Sequence, residues 1–455
     1  MRDLYLAIDV GTGSLRSALV DRTGRVLAIA LKEHEQIVPQ FGWSEQRPAD
    51  WWSGTVETIR DVLRQVDDAP ARVAAICACG QMHGAVLIDD DGVPTRDAAI
   101  LWNDKRAAPQ VAAFNERITA GDVLPIAANM PSPAWPAFKV AWIAENEPDA
   151  LARASTLLMP KDWINFRLTG ERAQDVTEAS LSFLMDRKTR EWSDRLCTMT
   201  RTPRALLPPM RAPEDVLGSL LPDVARDLGL SRDIPVLVGA GDYPMALTGS
   251  GVLRAGMGSD VTGTSTIITL MHEEPVLDPQ VSNVISASGL WGVMTLLDAG
   301  GDAVRWARRA FHGNTRSYAD IAADAASAEA GSNRLFFLPY LSGERLQPGS
   351  RAQFFGLTAA HGMADLHRAV LEGVAFSVRL RLDRLKGATA RPDRIVAAGG
   401  GARNALWLRI KASLYDVPYL VPEELECGIV GAAMLMARGA GDVPDLEEAA
   451  ARMVR

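Results

Sequence analysis

The most restrictive feature of this 455-residue sequence is a short pattern that occurs twice, once near the start of each half. Residues 9–14 are Asp-Val-Gly-Thr-Gly-Ser, and residues 260–265 are Asp-Val-Thr-Gly-Thr-Ser. Each stretch is flanked by apolar runs typical of β-strands, so each is predicted to be a turn between two strands. The pattern suggests a duplicated domain, although two unrelated hairpin turns would also explain it.

The elements predicted around the first turn indicate an α/β fold. Residues 4–10, 15–20 and 26–31 are predicted to be strands of an antiparallel meander. A helix follows over residues 51–66, where apolar side chains recur at helical spacing, and residues 73–79 form a further strand. Helices that alternate with strands in this way are typical of the α/β class.

The chain length favours two domains, because a single core rarely grows beyond about 250–300 residues. We place the division in the glycine-rich stretch 242–256 and predict an N-terminal domain over residues 1–245 and a C-terminal domain over residues 246–455. The glycines suggest domains in close contact and joined by a hinge.

The composition narrows the classes of function. A net charge of −8 argues against nucleic-acid binding, which needs a basic surface to displace counterions. No apolar run is long enough to span a bilayer, and the N-terminal residues lack the layout of a signal peptide. The four cysteines show no metal-ligand spacing. We therefore expect a cytoplasmic protein that has neither nucleic acid nor membrane as a partner.

The first glycine turn has the chemistry of a phosphate site. Glycines let backbone N–H groups approach an anion, and nearby hydroxyl and guanidinium groups add donors. The candidate residues for this role are Gly11, Thr12, Gly13, Ser14 and Arg16. Asp9, at the end of the preceding strand, could hold Mg²⁺, usually through water. A plain hairpin with a polar turn is the alternative.

Two further glycine-rich junctions could carry chemistry. Asp242 follows flexible glycines and a buried strand predicted over residues 234–239, where a carboxylate could accept the proton of a substrate hydroxyl. Its alternative role is to cap the helix that Pro244 opens. Residues 399–401 are three glycines between a strand predicted over residues 394–398 and a helix predicted over residues 406–415, which allows close approach of a phosphate or a flat ring. A tight structural turn is the alternative there.

A third group of residues suits a polyhydroxy ligand. Amide, imidazole, carboxylate and indole side chains provide hydrogen bonds for hydroxyls and an apolar wall for carbon atoms. These residues are Gln81, Met82, His83, Trp102 and Asp104. Taken singly, a histidine or a tryptophan is more often a core residue than a ligand-binding one.

These pieces match several motifs of one known family. The motifs are Asp9-Val10-Gly11-Thr12, Gly42-Trp43-Ser44-Glu45-Gln46, Gly80-Gln81-Met82-His83-Gly84, Ile100-Leu101-Trp102-Asn103-Asp104 and Ala352-Gln353-Phe354-Phe355-Gly356-Leu357. With them the chain resembles the FGGY carbohydrate kinases almost from end to end, and it is most similar to their xylulokinase branch.

The resemblance implies two ribonuclease H-like domains of the actin-like ATPase type, with a catalytic cleft between them. It implies ATP and Mg²⁺ as cofactors, Asp242 as general base, and Asp9 with Asp242 at the metal. The nucleotide residues that it implies, besides those of the first turn, are Gly263, Thr264, Gly300, Gly400, Gly401, Ala402 and Asn404. Met82, His83, Trp102 and Asp104 fall on its sugar side. The implied reaction phosphorylates a ketopentose and favours O5 of D-xylulose. A homodimer is compatible with the resemblance.

Three departures from the family pattern leave alternatives open. Tyr243 follows Asp242 where relatives usually carry Asn or Gln that contacts the substrate, Asp302 stands where a small residue is usual, and the loop over residues 344–354 is short. Tyr243 keeps open a kinase for another ketose or polyol, such as ribulose or a tetritol. A non-kinase ATP-binding protein of the same fold is a more distant alternative.

Overall fold

The computed structural model describes residues 2–344, 349–385 and 392–455. Its strands are β1 (Leu4–Val10), β2 (Ser14–Asp21), β3 (Val26–Glu33), β4 (Glu45–Gln46), β5 (Val73–Gly80), β6 (Val86–Ile88), β7 (Ala99–Ile100), β8 (Thr156–Leu158), β9 (Gln174–Asp175), β10 (Met185–Asp186), β11 (Glu191–Trp192), β12 (Met210–Arg211), β13 (Val216–Ser219), β14 (Pro235–Gly241), β15 (Met257–Thr262), β16 (Thr266–His272), β17 (Ser282–Ile285), β18 (Trp291–Leu297), β19 (Phe336–Leu338), β20 (Gln353–Phe355), β21 (Arg394–Ala398) and β22 (Tyr419–Leu420).

The α-helices are α1 (Pro48–Gln65), α2 (Ala69–Arg72), α3 (Ala108–Asn115), α4 (Ala120–Ala127), α5 (Pro136–Asn146), α6 (Pro148–Arg153), α7 (Pro160–Thr169), α8 (Val176–Ala179), α9 (Asp194–Thr200), α10 (Pro222–Leu228), α11 (Asp242–Gly249), α12 (Gly300–His312), α13 (Tyr318–Ser327), α14 (Met363–Leu385), α15 (Ala405–Tyr415), α16 (Cys427–Gly439) and α17 (Leu446–Met453). Short 3-10 helices cover Arg204–Leu206, Ser332–Arg334 and Gly400–Arg403.

The chain divides into two compact units that are discontinuous in sequence. Unit 1 contains the described residues up to 253 together with 283–291 and 426–455. Unit 2 contains residues 254–282 and the described part of 292–425. The predicted division after residue 245 stays a prediction. In the predicted short loop, residues 345–348 lie outside the described residues.

Unit 1 is built on a mixed six-stranded sheet in the order β13-β14-β5-β1-β2-β3. The predicted meander β1-β2-β3 is antiparallel, whereas β5 runs parallel to both β1 and β14. Leu4, Leu6 and Ile8 of β1 join the apolar core that contains residues of α1, α7 and α10, and Tyr5 and Ala7 join the core with α16 and α17. Because alternate residues of a strand point to opposite faces, helices cover both sides of the sheet.

Unit 2 repeats this pattern of strands. Its sheet contains the order β18-β16-β15-β21-β22, in which β15 is antiparallel to β16 and parallel to β21. The corresponding strands of unit 1 are β3-β2-β1-β5-β14. The two similar turns therefore join equivalent strand pairs, β1-β2 and β15-β16. This agreement supports the duplication that the sequence suggested, and the α/β class is confirmed.

Most predicted elements are present with small shifts at their ends. The helix predicted from residue 51 begins at Pro48, because proline is favoured in the first turn, where its missing N–H costs nothing. The strand predicted over residues 234–239 reaches Gly241, and the helix after it begins at Asp242 instead of Pro244.

Glycines allow α11 and α16 to touch through their backbones. A Cβ atom on Gly249 would lie 1.8 Å from the carbonyl oxygen of Cys427, and one on Gly431 would lie 2.2 Å from that of Met245. Neither space admits a side chain. The contact fixes α11, whose first residue is Asp242, against the helix that packs on β1 and β5.

Candidate active site

Three parallel strands of unit 1 end at one edge of the sheet. In the register of β1 and β5, Val10 pairs with Gly80, and in that of β14 and β5, Gly241 pairs with the same Gly80. The chain positions next to these pairs therefore bring Asp9, Gln81 and Asp242 to the same edge. The carboxyl ends of parallel strands are the usual place for ligands in such sheets.

Asp242 is a half-buried carboxyl at the start of α11. Gly241 is the N-cap residue, and Asp242 Oδ1 accepts a 2.6 Å hydrogen bond from the backbone N–H of Tyr243. Burial, together with the negative charge of Asp9, raises the pKa of Asp242 to about 7, against the opposing effect of the Tyr243 N–H. Asp242 is therefore the first residue of the helix and not its N-cap. Its raised pKa is typical of an acid–base group, and a carboxylate that only caps a helix has no use for such a shift.

Asp9 has the properties of a cation ligand. Its Oδ1 atom is buried and has no hydrogen-bond partner in the described part of the chain, and its Oδ2 atom lies 3.9 Å from Nη1 of Arg16. Burial raises the pKa of Asp9 to about 6, against the opposing effect of Arg16. Arg16 Nη1 also lies 3.1 Å from Glu426 Oε2. Two neighbouring carboxylates suit a largely hydrated Mg²⁺ ion.

A metal at this edge would rely on water or substrate for its other ligands. Among the residues described, no group of three or more His, Cys, Asp or Glu side chains could hold a metal ion. Mg²⁺ commonly binds through one or two carboxylates and completes its shell with water and phosphate oxygens.

The first glycine turn contacts two of the residues predicted for the sugar. The Thr12 hydroxyl donates to Gln81 Oε1 at 3.3 Å and accepts from Trp102 Nε1 at 2.9 Å. Gln46 Nε2 donates to the Thr12 carbonyl at 2.6 Å. The Thr12 hydroxyl therefore already donates its proton to Gln81 within the protein. A Cβ atom on Gly13 would meet nothing within 4 Å, so the backbone there is open to a ligand.

Met82 packs beside Gly241, the residue that precedes Asp242, and His83 follows Met82 in the chain. The Met82 side chain fills the space beside Gly241, where an added Cβ atom would lie 2.7 Å from its Cγ. His83 has a φ of 68°, a left-handed conformation that is costly for a residue other than glycine. Its carbonyl accepts from Lys139 Nζ at 2.5 Å, and its buried Nδ1 has no partner among the described residues. Burial lowers the pKa of His83 well below its ordinary value, which leaves a neutral ring.

Asp104, also predicted on the sugar side, is fully engaged by the protein. Its Oδ2 accepts from the backbone N–H of Ser44 at 2.6 Å and from Arg106 Nη2 at 2.7 Å, and its Oδ1 accepts from Arg106 Nε at 3.0 Å. The Arg106 guanidinium also lies 3.8 Å from the ring centre of Trp43. Asp104 therefore serves to hold the segment that carries Trp102.

A buried ionic cluster near Gly241 was not predicted from the sequence; it consists of Lys161, Asp162 and Asp175. Lys161 contacts Asp162 closely and lies 2.8 Å from Asp175 Oδ2, with all three side chains almost fully buried. Asp175 binds the Thr177 hydroxyl, which accepts from the Gly241 N–H at 3.1 Å. The cluster thus supports the residue before Asp242. A lysine after a proline has no periodicity that would mark it as buried.

Unit 2 contains a cavity of about 520 Å³ that is lined by five of the seven nucleotide residues predicted in this unit. The predicted residues in its lining are Gly263, Thr264, Gly400, Gly401 and Asn404. Gly300 and Ala402 do not line it. A Cβ atom on Gly300 would lie 2.4 Å from Thr266 Oγ1, so this glycine lets α12 pack against the second turn.

The cavity also has lining residues that the sequence did not single out. They are Gly301, Val304, Arg305, Tyr318, Ala319, Ala322, Arg403 and Trp407. Arg305 donates to Asp302 Oδ1 at 2.6 Å, which gives the unusual Asp302 a cationic partner. The backbone N–H groups of Gly301 and Asp302 each bond at 2.9 Å to carbonyls of the second turn. The start of α12 therefore fixes the loop that contains Gly263.

The acid that corresponds to Asp9 in the repeat has a different environment. Lys411 Nζ lies 2.8 Å from Asp260 Oδ2 and donates to the Thr262 hydroxyl at 3.0 Å. Thr262 donates in turn to Asp260 Oδ1 at 2.6 Å. Thr262 also fills the space beside Gly401. The second acid is therefore neutralised and supports the turns of the cavity, whereas Asp9 keeps a free oxygen.

Comparison with known proteins identifies the family. The sequence matches the description "FGGY family of carbohydrate kinases, N-terminal domain" over residues 4–249, and the C-terminal domain of the same family over residues 259–440. The chain belongs to the FGGY family of carbohydrate kinases. It is therefore a sugar kinase, which sets aside a non-kinase protein of the same fold.

Relatives of this FGGY kinase are named for more than one activity. The xylulose kinase of Bacillus subtilis (strain 168) is 31% identical and aligns with 99% of the chain and 91% of its own length. The glycerol kinase of Methylibium petroleiphilum is 30% identical over 98% of the chain and 93% of its own length. The crystal structure of xylulose kinase from Rhodospirillum rubrum has a TM-score of 0.92 and 28% identity, covering 99% of this chain and 92% of that one.

The solved relative agrees with the ribonuclease H-like fold class expected for both units of the FGGY kinase. In the ranges that the structure describes, no helix has the length and apolarity required to cross a membrane.

Proposed function

We propose that this FGGY kinase transfers the γ-phosphoryl group of ATP to a terminal hydroxyl of a ketopentose, with O5 of D-xylulose as the favoured acceptor. Asp242 is the general base. The observation that carries this proposal is the position of Asp242 at the carboxyl ends of three strands, with its pKa raised to about 7. A base whose pKa lies near the working pH combines a useful fraction of carboxylate with a useful affinity for the proton.

The reaction follows from this assignment. The substrate hydroxyl oxygen forms a bond to the γ-phosphorus, the bond from that phosphorus to the bridging oxygen breaks, and ADP leaves. The hydroxyl proton passes to the Asp242 carboxylate. Because phosphoryl transfer needs little covalent help from the protein, positioning and charge stabilisation supply most of the catalysis.

The acceptor sugar has suitable partners on unit 1. His83 offers an unpartnered buried ring nitrogen, and Trp102 offers an indole face that is 47% exposed beside the first glycine turn. Gln81 is bonded to that turn and fixes its distance from the sheet edge. A neutral imidazole can exchange hydrogen bonds with a hydroxyl, and an indole face suits a carbon chain.

The phosphoryl group and its metal would lie near Asp9 in this proposal. Asp9 and Asp242 would hold Mg²⁺, which when bound neutralises charge on phosphate oxygens. The open backbone at Gly13 and the guanidinium of Arg16 supply donors from the protein. The free Oδ1 of Asp9 supports this assignment.

The nucleotide would occupy the cavity of unit 2. The turns at Gly263 and at residues 400–401 leave space for phosphates and ribose, and Tyr318 provides an aromatic wall for the adenine. Arg305 and Arg403 bring positive charge to the same cavity. A cavity of about 520 Å³ falls within the usual size of small-molecule sites, about 300–1,000 Å³.

A second candidate is a kinase for another ketose or polyol, such as ribulose or a tetritol. Tyr243 is half-buried directly after the proposed base, where a bulky ring changes the space available to the substrate. The similarity to a glycerol kinase over nearly the whole chain points in the same direction.

A coupled assay of ADP release with a panel of acceptors tests the proposal. The panel contains D-xylulose, D- and L-ribulose, erythritol and glycerol, each ranked by kcat/KM, with a control that lacks sugar. The proposal predicts that D-xylulose ranks first. If ribulose or erythritol ranks first, the second candidate is correct. ADP release that no acceptor stimulates would contradict both.

A further inference from the structure

Arg16, the proposed phosphate contact, is placed by the pairing of the first two strands. Arg16 of β2 lies opposite Asp9 of β1 in the antiparallel register, so the two side chains share one face of the sheet. Side chains alternate along a strand, and Asp9 follows Tyr5 and Ala7, which pack in the core that contains α16. Asp9 and Arg16 therefore lie on the face of the sheet that α16 covers.

Helix α16 begins directly beside this pair. Its first turn contains Gly428, where an added Cβ atom would lie 4.0 Å from Asp9 Oδ2. The residue before the helix, Glu426, is its N-cap residue, and within the described chain its side chain makes no capping hydrogen bond. The carboxylate binds Arg16 instead, whose Nη1 donates to Glu426 Oε2 at 3.1 Å. The pairing of β1 with β2 and the start of a helix near the C-terminus thus converge on one guanidinium.

The Arg16 guanidinium lies between two acids at unequal distances. Its Nη1 atom is 3.1 Å from Glu426 Oε2 but 3.9 Å from Asp9 Oδ2. The Arg16 and Glu426 side chains are each 36% exposed, so a ligand can reach the guanidinium. Because a guanidinium has five N–H donors, its bond to Glu426 leaves donors for phosphate oxygens.

We propose that Glu426 is a positioning residue that holds the Arg16 guanidinium toward the nucleotide phosphates and away from Asp9. This inference rests on the proposed function, in which Arg16 binds phosphate and Asp9 binds the cation. Without Glu426, Asp9 would be the acid left beside Arg16 among the described residues. A direct ion pair between them would withdraw the phosphate donor and occupy the cation ligand at the same time.

The second repeat shows what such an ion pair does. Its acid Asp260, the equivalent of Asp9, is bound by Lys411 at 2.8 Å, and both side chains are almost fully buried. In unit 1 the basic group has a second acid to bind, and Asp9 keeps its Oδ1 atom without a partner in the described chain. An acid that competes for the basic group therefore distinguishes the proposed site from its structural counterpart.

Positioning and simple electrostatics predict opposite effects of removing this acid. Glu426 places negative charge close to a proposed polyphosphate site, so its removal would strengthen ATP binding by charge alone. If Glu426 holds Arg16 in place, its removal weakens ATP binding instead. The direction of the change therefore separates the two effects.

Five variants of the full-length kinase test the proposal. Glu426→Ala removes the carboxylate, and Glu426→Gln keeps an acceptor oxygen without the charge. Arg16→Ala and the double variant Arg16→Ala with Glu426→Ala complete a double-mutant cycle. The matched control is Glu423→Ala, which removes an exposed acid from the loop before α16. The readouts are the KM values for ATP and for the best acceptor sugar, the dissociation constant of MgATP from calorimetry without sugar, and the melting temperature.

The proposal predicts that Glu426→Ala raises the KM for ATP and the dissociation constant of MgATP about fivefold, as for a lost hydrogen bond between charged groups, and that Glu426→Gln raises them about twofold. In the Arg16→Ala background, Glu426→Ala raises neither value, because the group that it positions is absent. The sugar KM of both single Glu426 variants, and all values of Glu423→Ala, stay within about twofold of wild type. The melting temperature of Glu426→Ala stays within about 2 °C of wild type, because the ion pair is partly exposed.

Other outcomes would overturn the inference. A KM for ATP that falls or stays unchanged in Glu426→Ala would show that Glu426 acts by its charge alone or not at all. An equal rise in the wild-type and Arg16→Ala backgrounds would show that it does not act through Arg16. Parallel rises of both KM values with a lower melting temperature would make it structural. Should Glu426→Ala fail to fold, Glu426→Gln decides on the same criteria. Wild type that no sugar stimulates would refute the proposed function itself, and the calorimetric constants for MgATP would still decide this inference.

Discussion

Replacing the proposed base by its neutral isostere should make the protein less active and more stable. In the folded state the pKa of Asp242 is raised from 3.8 to about 7. The folded protein therefore binds a proton more tightly than the unfolded chain, and stability falls as the pH rises from about 4 to about 7. The loss of unfolding free energy caused by the charged carboxylate reaches its full value above about pH 7 and is absent below about pH 4. Asp242→Asn removes this cost.

The size of the effect follows from the shift in pKa. A change of about three units corresponds to about 4 kcal/mol at about 1.36 kcal/mol per unit. Because Asp242 is only half-buried, solvent screening reduces this upper value to about 2 kcal/mol above pH 7. At pH 4.5 the gain is below about 0.5 kcal/mol. At about 2 °C per kcal/mol, the expected rise in melting temperature at pH 8 is about 4 °C.

Thermal unfolding of wild type and Asp242→Asn at pH 4.5 and pH 8.0 measures this difference. Both proteins are measured in EDTA, because a bound cation would stabilise the wild-type carboxylate. In parallel, kcat of the variant should fall at least about 10²-fold. Equal melting temperatures at pH 8, or a variant less stable than wild type there, would refute the argument that burial and Asp9 penalise a charged Asp242.

Three further substitutions, two of them paired with a control variant, test other parts of the structure. Arg16→Ala should raise the KM for ATP more than the KM for sugar, and an unchanged ATP dependence would contradict the phosphate assignment. Lys411→Met should destabilise unit 2 by about 3–5 kcal/mol, because it leaves the buried Asp260 without its cationic partner. The double variant Lys411→Leu with Asp260→Leu should recover most of this loss, because it removes both members of the ion pair. A Lys411→Met variant that melts like wild type would contradict the claim that the ion pair stabilises unit 2. Gly249→Ala should lower the free energy of unfolding by more than about 1–3 kcal/mol, because its Cβ would lie 1.8 Å from a carbonyl oxygen. The control Gly349→Ala has open space around its Cβ and should leave the free energy of unfolding almost unchanged. Equal melting temperatures of the two variants would show that α11 and α16 can separate.

The sequence predicted the fold well where local chemistry decides it. Strand β21 was predicted with its observed ends because apolar residues stop at three glycines, and β1 because the first turn follows it directly. The end of β14 and the start of α11 were missed by two residues each. There the chain continues as a strand to Gly241 because it pairs with Gly80 of β5, a long-range contact that no local pattern contains.

The candidate site was predictable as residue types at strand ends, but not in its connections. Strand ends bring Asp9 and Asp242 to one edge. The sequence could not show that Asp104 is taken up by Arg106, a pairing that depends on how one loop folds back on itself. Nor could it show that Lys161 is buried, since charged residues in helices are usually solvated.

The two halves of the duplication have diverged at equivalent acids. Asp9 keeps a buried oxygen without a partner in the described chain, whereas Asp260 is bound by Lys411, Thr262 and Tyr419. An acid that is already neutralised by a buried lysine has little capacity for a cation. The same position in the repeat is therefore free for chemistry in unit 1 and committed to structure in unit 2.

Phosphorus NMR of the reaction products tests the central claim most directly. Wild type incubated with MgATP and D-xylulose should produce ADP and one phosphomonoester whose phosphorus couples to the C5 protons, and Asp242→Asn under the same conditions should produce almost none. A spectrum with only ADP and inorganic phosphate, or an ester that forms equally fast in the variant, would contradict sugar phosphorylation with Asp242 as the base.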